Sequence, residues 1–223
     1  MAVDRDRRAE LVVRTRGRPA AGGGRWVTVA PARLARWLDN FAQRHGATTA
    51  ERTDAGLLVT ATDGAVADCR LPYGFQGVTG DELVAEANAE HRIGLLLVRR
   101  GASAVGLATG ERLTGSKVDR RLVQGRSAAG GWSQQRFARR REKQAREAAD
   151  AAADTAVRLL LPAVGSVVAV VCGGDRKAVD TVLADRRLAP VSARVGGWFL
   201  DVAEPRHTVL VEAVAQARAV HIR

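Results

Sequence analysis

Arg92-Ile93-Gly94-Leu95-Leu96-Leu97-Val98-Arg99-Arg100-Gly101-Ala102-Ser103-Ala104-Val105-Gly106-Leu107-Ala108-Thr109-Gly110-Glu111-Arg112-Leu113-Thr114-Gly115-Ser116-Lys117-Val118-Asp119-Arg120-Arg121-Leu122-Val123 is the stretch that decides the fold. Arg100-Gly101 and Thr109-Gly110 divide it into three runs, Arg92 to Arg99, Ala102 to Thr109 and Glu111 to Val123. Apolar runs of this length between glycine turns read as successive antiparallel strands. The last strand delivers the chain at Gln124 into the glycine-bearing segment Gly125 to Gly131, which is therefore expected at an edge or end of the sheet. Ser133, a good N-cap residue, then opens a helix that meets no proline before Pro162. Such a helix of about 28 residues is about 42 Å long. Its first half is arginine-rich, and its second, Ala148 to Leu161, is apolar. One end should dock and the other project.

Downstream, the pattern predicts a strand at Val167 to Cys172, a Gly173-Gly174-Asp175 turn, a helix from Arg176 to Leu183, a strand around Trp198 to Val202 and a last helix from His207 to Val220. The whole segment reads as a mixed sheet with packed helices. Upstream, Met1 to Gly24 reads as an arm with a short strand around Leu11-Val12-Val13 and a flexible turn. Trp26 to Val29 reads as a strand, and Pro31 starts a helix whose Leu34, Trp37, Leu38 and Phe41 recur at helical spacing until Gly46. Strand-like residues from Thr48 to Leu71 include a hairpin closed by Thr62-Asp63-Gly64. Leu71 to Gly80 is the best linker, with a helix from Asp81 to His91 that fits either side. The fold class is α/β (α+β), in two domains, 1–80 and 81–223, with the chemistry expected in the second.

The chain has 223 residues and is 46% hydrophobic, enough for a sizeable core. Its 35 Lys and Arg exceed 24 Asp and Glu by +11. Between Arg112 and Arg146, eleven basic residues face two acidic ones, so this stretch holds most of the excess. Arginine dominates it, and a planar fork suits phosphate, which makes a nucleic acid the first partner to consider. Cys69 and Cys172 fit no metal or redox spacing and read as reduced residues of a cytoplasmic protein. No apolar run approaches membrane-spanning length, and no secretory leader is expected.

His45, His91, His207 and His221 are scattered at no ligand spacing, so neither a metal nor a cofactor is expected. Gly110 to Lys117 has the glycines of a phosphate loop with Ser and Lys in reversed order inside a β meander. Val167 to Lys177 has the strand, glycine turn and helix order that can hold an anion, a connection common in any α/β fold. Gly130-Gly131-Trp132-Ser133-Gln134-Gln135 differs, because amides stand beside glycines and before arginines. A glutamine positions water without titrating, and backbone N–H groups can donate to an oxyanion. The same stretch also suits a loop that only binds RNA.

The run from Gly130 to Arg141 resembles the loop and helix of archaeal and eukaryotic class I release factors, where Gly-Gly-Gln precedes Ser-x-x-Arg-Phe-Ala-Arg. Gly115-Ser116 through Arg126 is also similar. The resemblance extends over roughly Glu90 to Arg223 and is strongest to the Vms-like release factors in their actinobacterial form. It implies an RNase H-like fold of the release-factor middle domain and metal-independent hydrolysis of the peptidyl-tRNA ester on stalled large ribosomal subunits. Aligned through Ser133, Arg136 and Phe137, the class I glutamine position holds Trp132. The Vms-like pattern places a glutamine a few residues after a glycine, which ranks Gln134 first, Gln135 second and Gln124 third, with Gly130 and Gly131 in the loop. Arg120, Arg121, Arg126, Arg136, Arg139, Arg140, Arg141 and Lys143 are the expected contacts to large-subunit RNA and peptidyl-tRNA, in a monomer. The alternatives are a non-catalytic ribosome- or RNA-binding factor and, more remotely, a nuclease, which lacks an acidic cluster for two metals.

Overall fold

The computed structural model describes residues 18–19, 24–99, 101–120 and 133–223. In chain order the elements are β1 (Arg18–Pro19), β2 (Arg25–Val29), α1 (Leu34–His45), β3 (Thr48–Thr53), β4 (Gly56–Ala61), β5 (Val66–Arg70), α2 (Gly80–Asn88), β6 (Arg92–Arg99), β7 (Ala102–Thr109), β8 (Arg112–Arg120), α3 (Ser133–Leu159), β9 (Ala169–Gly174), α4 (Arg176–Leu183), α5 (Ala189–Ser192), β10 (Val195–Leu200), α6 (His207–Arg218) and β11 (Val220–Ile222). Three short 3-10 turns, Pro31–Arg33, Leu161–Ala163 and Arg186–Leu188, complete them. Among the described residues the strands form two sheets, ordered β1-β2-β11-β5-β4-β3 and β10-β9-β6-β7-β8.

The five-stranded sheet confirms the antiparallel meander of β6, β7 and β8, and adds β9 and β10 parallel to β6. Helices cover both of its faces, which explains why β6 reads as an unbroken apolar run. On one face Leu96, Val98, Val105, Leu107, Val170 and Cys172 meet Ala152, Ala153, Ala156 and Leu160 of α3 and Val179 and Val182 of α4. On the other, Ile93, Leu95, Leu97, Ala104, Ala108 and Val171 meet Leu210, Ala213, Val214 and Ala217 of α6. The mixed sheet with flanking helices and a long basic helix is thus the expected fold class.

Among the described residues, the helices of the six-stranded sheet lie on one face. Val29, Leu57, Val59, Ala67, Cys69, Val220 and Ile222 pack with Leu34 of α1 and Leu83 and Ala87 of α2. A capping box starts α2: Thr79 Oγ1 accepts from the Glu82 amide at 3.2 Å, and the Thr79 amide donates to Glu82 Oε2 at 3.0 Å.

One element departs from the sequence expectation. The last helix ends at Arg218, and Val220–Ile222 enter the six-stranded sheet as β11, between β2 and β5. The apolar alternation of Val220, His221 and Ile222 is too short to register beside a helix, although the β-branched Val220 and Ile222 suit a pleated surface. Asp68 and Arg223 exchange both backbone hydrogen bonds at 2.9 and 3.1 Å, fixing the register. This sheet therefore draws on residues from both sides of the expected boundary near Gly80.

Trp198 of β10 stacks on His221 of β11 with ring centroids 3.5 Å apart and meets Trp26 edge-on at 5.3 Å, joining the two sheets. Gly196 completes the joint, because a β-carbon there would collide with the Pro72 carbonyl oxygen. β10 runs Val195–Leu200 and not Trp198 to Val202, because Gly196, which does not favour a strand by itself, serves a close backbone approach in space.

Candidate functional site

The site begins on β8, the edge strand of the five-stranded sheet. Leu113 and Val118 turn inward toward the α6 side of the sheet. A bulge at Thr114 lets Leu113 face Ala108 and Gly115 face Leu107, and Thr114 Oγ1 donates to the Leu107 carbonyl at 3.1 Å. Gly110 to Lys117 is therefore turn and strand, not a strand-loop-helix cradle. The described strand runs Arg112–Arg120. Arg121, Gln124, Arg126, Gly130 and Gly131 lie outside the described residues.

The chain reappears as α3, of 27 residues and so about 40 Å. Gln134, Gln135, Arg136 and Arg141 are placed on it by their backbone alone. Arg139, Arg140 and Lys143 are solvent-exposed, as are Glu142, Arg146 and Glu147. Lys143 lies 3.9 Å from Glu147 and Arg146 3.8 Å from Glu142, one turn apart. Exposed pairs of this kind support the helix by only a few tenths of a kcal/mol each. Burial begins further on, at Ala152, Ala153, Ala156 and Leu160. The expectation of a docked half and a projecting basic half holds for these residues. Beside the docked half, Arg187 Nη2 reaches Asp154 at 2.8 Å and Asp185 at 2.6 Å, tying α3 to the turn before α5. Those hydrogen bonds push the Asp185 carboxyl down to about 2.

Arg120 is not simply a solvated cation. Its Nη2 pairs with Glu204 Oε1 at 2.5 Å, while Arg206 Nη2 pairs with Glu204 Oε2 at 3.2 Å. The two guanidiniums, Arg206 first, hold the Glu204 carboxyl below its ordinary range. Glu204 sits between the buried Val202 and Pro205 in the loop before α6, and Arg99 donates to the Val202 carbonyl at 2.7 Å. The register Arg99, Ala102, Arg120 across β6, β7 and β8 puts both arginines at one end of the sheet. Arg99, Glu204 and Arg206 were not visible as site residues in the sequence, where 84 positions separate Arg120 from Glu204.

The other candidates resolve into structure. The turn after β9 is closed: a β-carbon at Gly174 would strike the Val98 carbonyl oxygen, the φ there is +99°, and Asp175 Oδ1 takes the Ala178 amide at 3.0 Å. The aspartate thus holds the helix start that an anion would need. Cys69 and Cys172 are buried, and burial pushes both thiols up to about 12, so neither is a thiolate nucleophile. His45 pairs with Asp63 and His91 with Glu86, at 2.8 and 2.9 Å. Among the described residues no group of three or more His, Cys, Asp or Glu could hold a metal ion, and no helix is long and apolar enough to cross a membrane.

No curated protein matches the chain. Among solved structures it is similar to the archaeal translation termination factor aRF1, at 17% identity and a TM-score of 0.41, covering 72% of this chain and 46% of that one. A second archaeal protein gives 17% identity and a TM-score of 0.37, covering 73% of this chain and 50% of that one. The chain thus spans about half the length of these structures. The family profile described as Actinobacteria/chloroflexi VLRF1 release factor matches residues 91–223, from the start of the five-stranded sheet through the long basic helix to the final residue. That match spans well over half of the sequence, and the chain belongs to this release factor family.

Proposed function

We propose that the chain is a peptidyl-tRNA hydrolase of ribosome rescue and quality control, cleaving the ester between nascent peptide and tRNA on stalled large ribosomal subunits. The observation that supports it most is the release-factor family match over 91–223, which includes both the glutamine-bearing loop and the basic helix. In this reading the loop with Gly130 and Gly131 enters the peptidyl transferase centre. Gln134 positions a water against the ester carbonyl, with Gln135 and then Gln124 as the next candidates. Water adds to the carbonyl carbon, the ester C–O bond breaks, and the peptide leaves as an acid while the tRNA regains its terminal hydroxyl. Arg120, Arg121, Arg126, Arg136, Arg139, Arg140, Arg141 and Lys143 grip ribosomal RNA and the tRNA acceptor end, with contacts that weaken as salt rises. The protein acts as a monomer in the cytoplasm without metal. Residues 1–80 serve as a supporting module and 81–223 as the catalytic part, joined through β11.

A binding-only ribosome factor is the second reading, favoured by Trp132 at the position where class I release factors keep their glutamine. Incubation with large subunits carrying peptidyl-tRNA separates the two. Wild type should release peptide, and Gln134→Ala should slow release by about a hundredfold or more, the scale of losing a positioned polar group at an ester-cleaving site. Subunit binding without release by wild type would establish the second reading.

A further inference from the structure

We infer that Arg120 and Arg206 form a phosphate-binding site at the root of the loop, held closed by Glu204, whose carboxylate occupies the place of an RNA phosphodiester until one displaces it. The inference rests on the proposed RNA-binding role and names a contact and a regulator that the basic helix does not contain. Each oxygen of Glu204 takes one guanidinium, from Arg120 at 2.5 Å and from Arg206 at 3.2 Å. This is the bridging geometry that two phosphate oxygens also satisfy. The three side chains remain open to exchange, with Arg120 67%, Arg206 65% and Glu204 39% exposed. The backbone beneath them is fixed. Val202 and Pro205 are buried, Arg99 hydrogen-bonds the Val202 carbonyl, and Arg120 lies on β8 paired opposite Ala102 of β7. The guanidiniums are therefore held side by side on a firm base while their shared anion can leave. The start of α6 adds to the positive field: its N-cap residue, Arg206, makes no side-chain cap, and its first turn holds no acid.

An internal carboxylate that shares two arginines weakens binding to any polyanion and makes it selective. A lone anion must compete with a tethered carboxylate, whereas a nucleic acid already held by Arg139 and Arg140 presents its next phosphates at high effective concentration. Displacement of Glu204 thus becomes coupled to engagement of the helix.

Binding of a labelled single-stranded RNA is measured as a function of salt for wild type, Glu204→Ala, Glu204→Gln, Arg206→Ala and the double variant Arg139→Ala/Arg140→Ala, with inorganic phosphate as competitor and thermal melting as a folding check. Glu204→Ala should tighten binding about three- to tenfold at low salt and steepen the slope of log K against log salt by about 0.7, one further phosphate contact on a single strand. Glu204→Gln should do the same to a smaller extent, and Arg206→Ala should weaken binding. Inorganic phosphate should compete better against the Glu204→Ala variant than against wild type. Unchanged or weaker binding by folded Glu204→Ala overturns the inference. If the Arg139/Arg140 variant still loses affinity in that case, the RNA-binding reading stands alone. If neither wild type nor Glu204→Ala binds RNA, both fall.

Discussion

The two sheets solve the same problem in opposite ways. The five-stranded sheet is covered on both faces, by α3 and α4 on one side and α6 on the other, and its central strand is apolar almost throughout. The six-stranded sheet buries one face under α1 and α2 and places Thr28, Asp68, Arg70 and His221 on the other. The first is held by its own neighbours in sequence. The second is completed by three residues from the far end of the chain, Val220–Ile222. The projecting basic helix stands on the self-sufficient sheet, which is where a part that must be positioned firmly belongs.

The comparison breaks most completely if the borrowed strand is removed. Deleting residues 219–223 takes out a strand paired on both edges, so hydrogen exchange should show β2, β4 and β5 losing protection while β6 and β7 keep theirs. Equal loss in both sheets would show that they unfold as one unit. A local cut in the doubly covered sheet comes next. Leu96 is fully buried beneath α3, and Leu96→Ala should lower the unfolding free energy by about 3 kcal/mol in a urea titration.

The joint between the sheets should respond to acid. His221 is buried and stacked on Trp198, its Nδ1 lies 3.4 Å from Thr28 Oγ1, and its Nε2 has no hydrogen-bond partner among the described residues. Arg70 stands directly opposite on β5, and Arg223 follows the end of β11. Burial lowers the imidazole to about 4, below its unfolded value near 6.5. The unfolded chain therefore binds more protons between these values. Stability is full above about pH 6.5, falls as pH drops toward 4 and loses up to about 3 kcal/mol from this group. His221→Phe should flatten that part of the profile in melts at successive pH values. The smallest effect belongs to a helix of the six-stranded sheet. Thr79→Ala removes one side of the α2 capping box and should cost about 1 kcal/mol, read as a shift in urea midpoint.

The legible elements were those whose causes are local. Gly101 and Gly110, at φ +81° and +54°, mark the turns of the meander, and Ser133 and Pro162 bracket α3. β11 was not legible because its burial comes from β2 and β5, at least 150 positions away. β10 slid by three residues at its start because Gly196 answers to Pro72, which no local pattern announces. Of the candidate site, the basic helix could be read from composition alone. The Glu204 partner of Arg120 could not, because an ion pair across 84 positions leaves no periodic trace.

A helix anchored at one end is a lever. From Ala152, the first fully buried residue of α3 among those whose side chains are described, to Ser133 is 19 residues, about 28 Å. Over that arm a tilt of about 2° displaces the far end by about 1 Å, the scale that matters to a reacting geometry under the proposed hydrolysis. The Arg187 clamp on Asp154 stands close to the fulcrum. The anchored end of the helix is thus tied to the neighbouring turn by a surface ion pair as well as by its buried alanines.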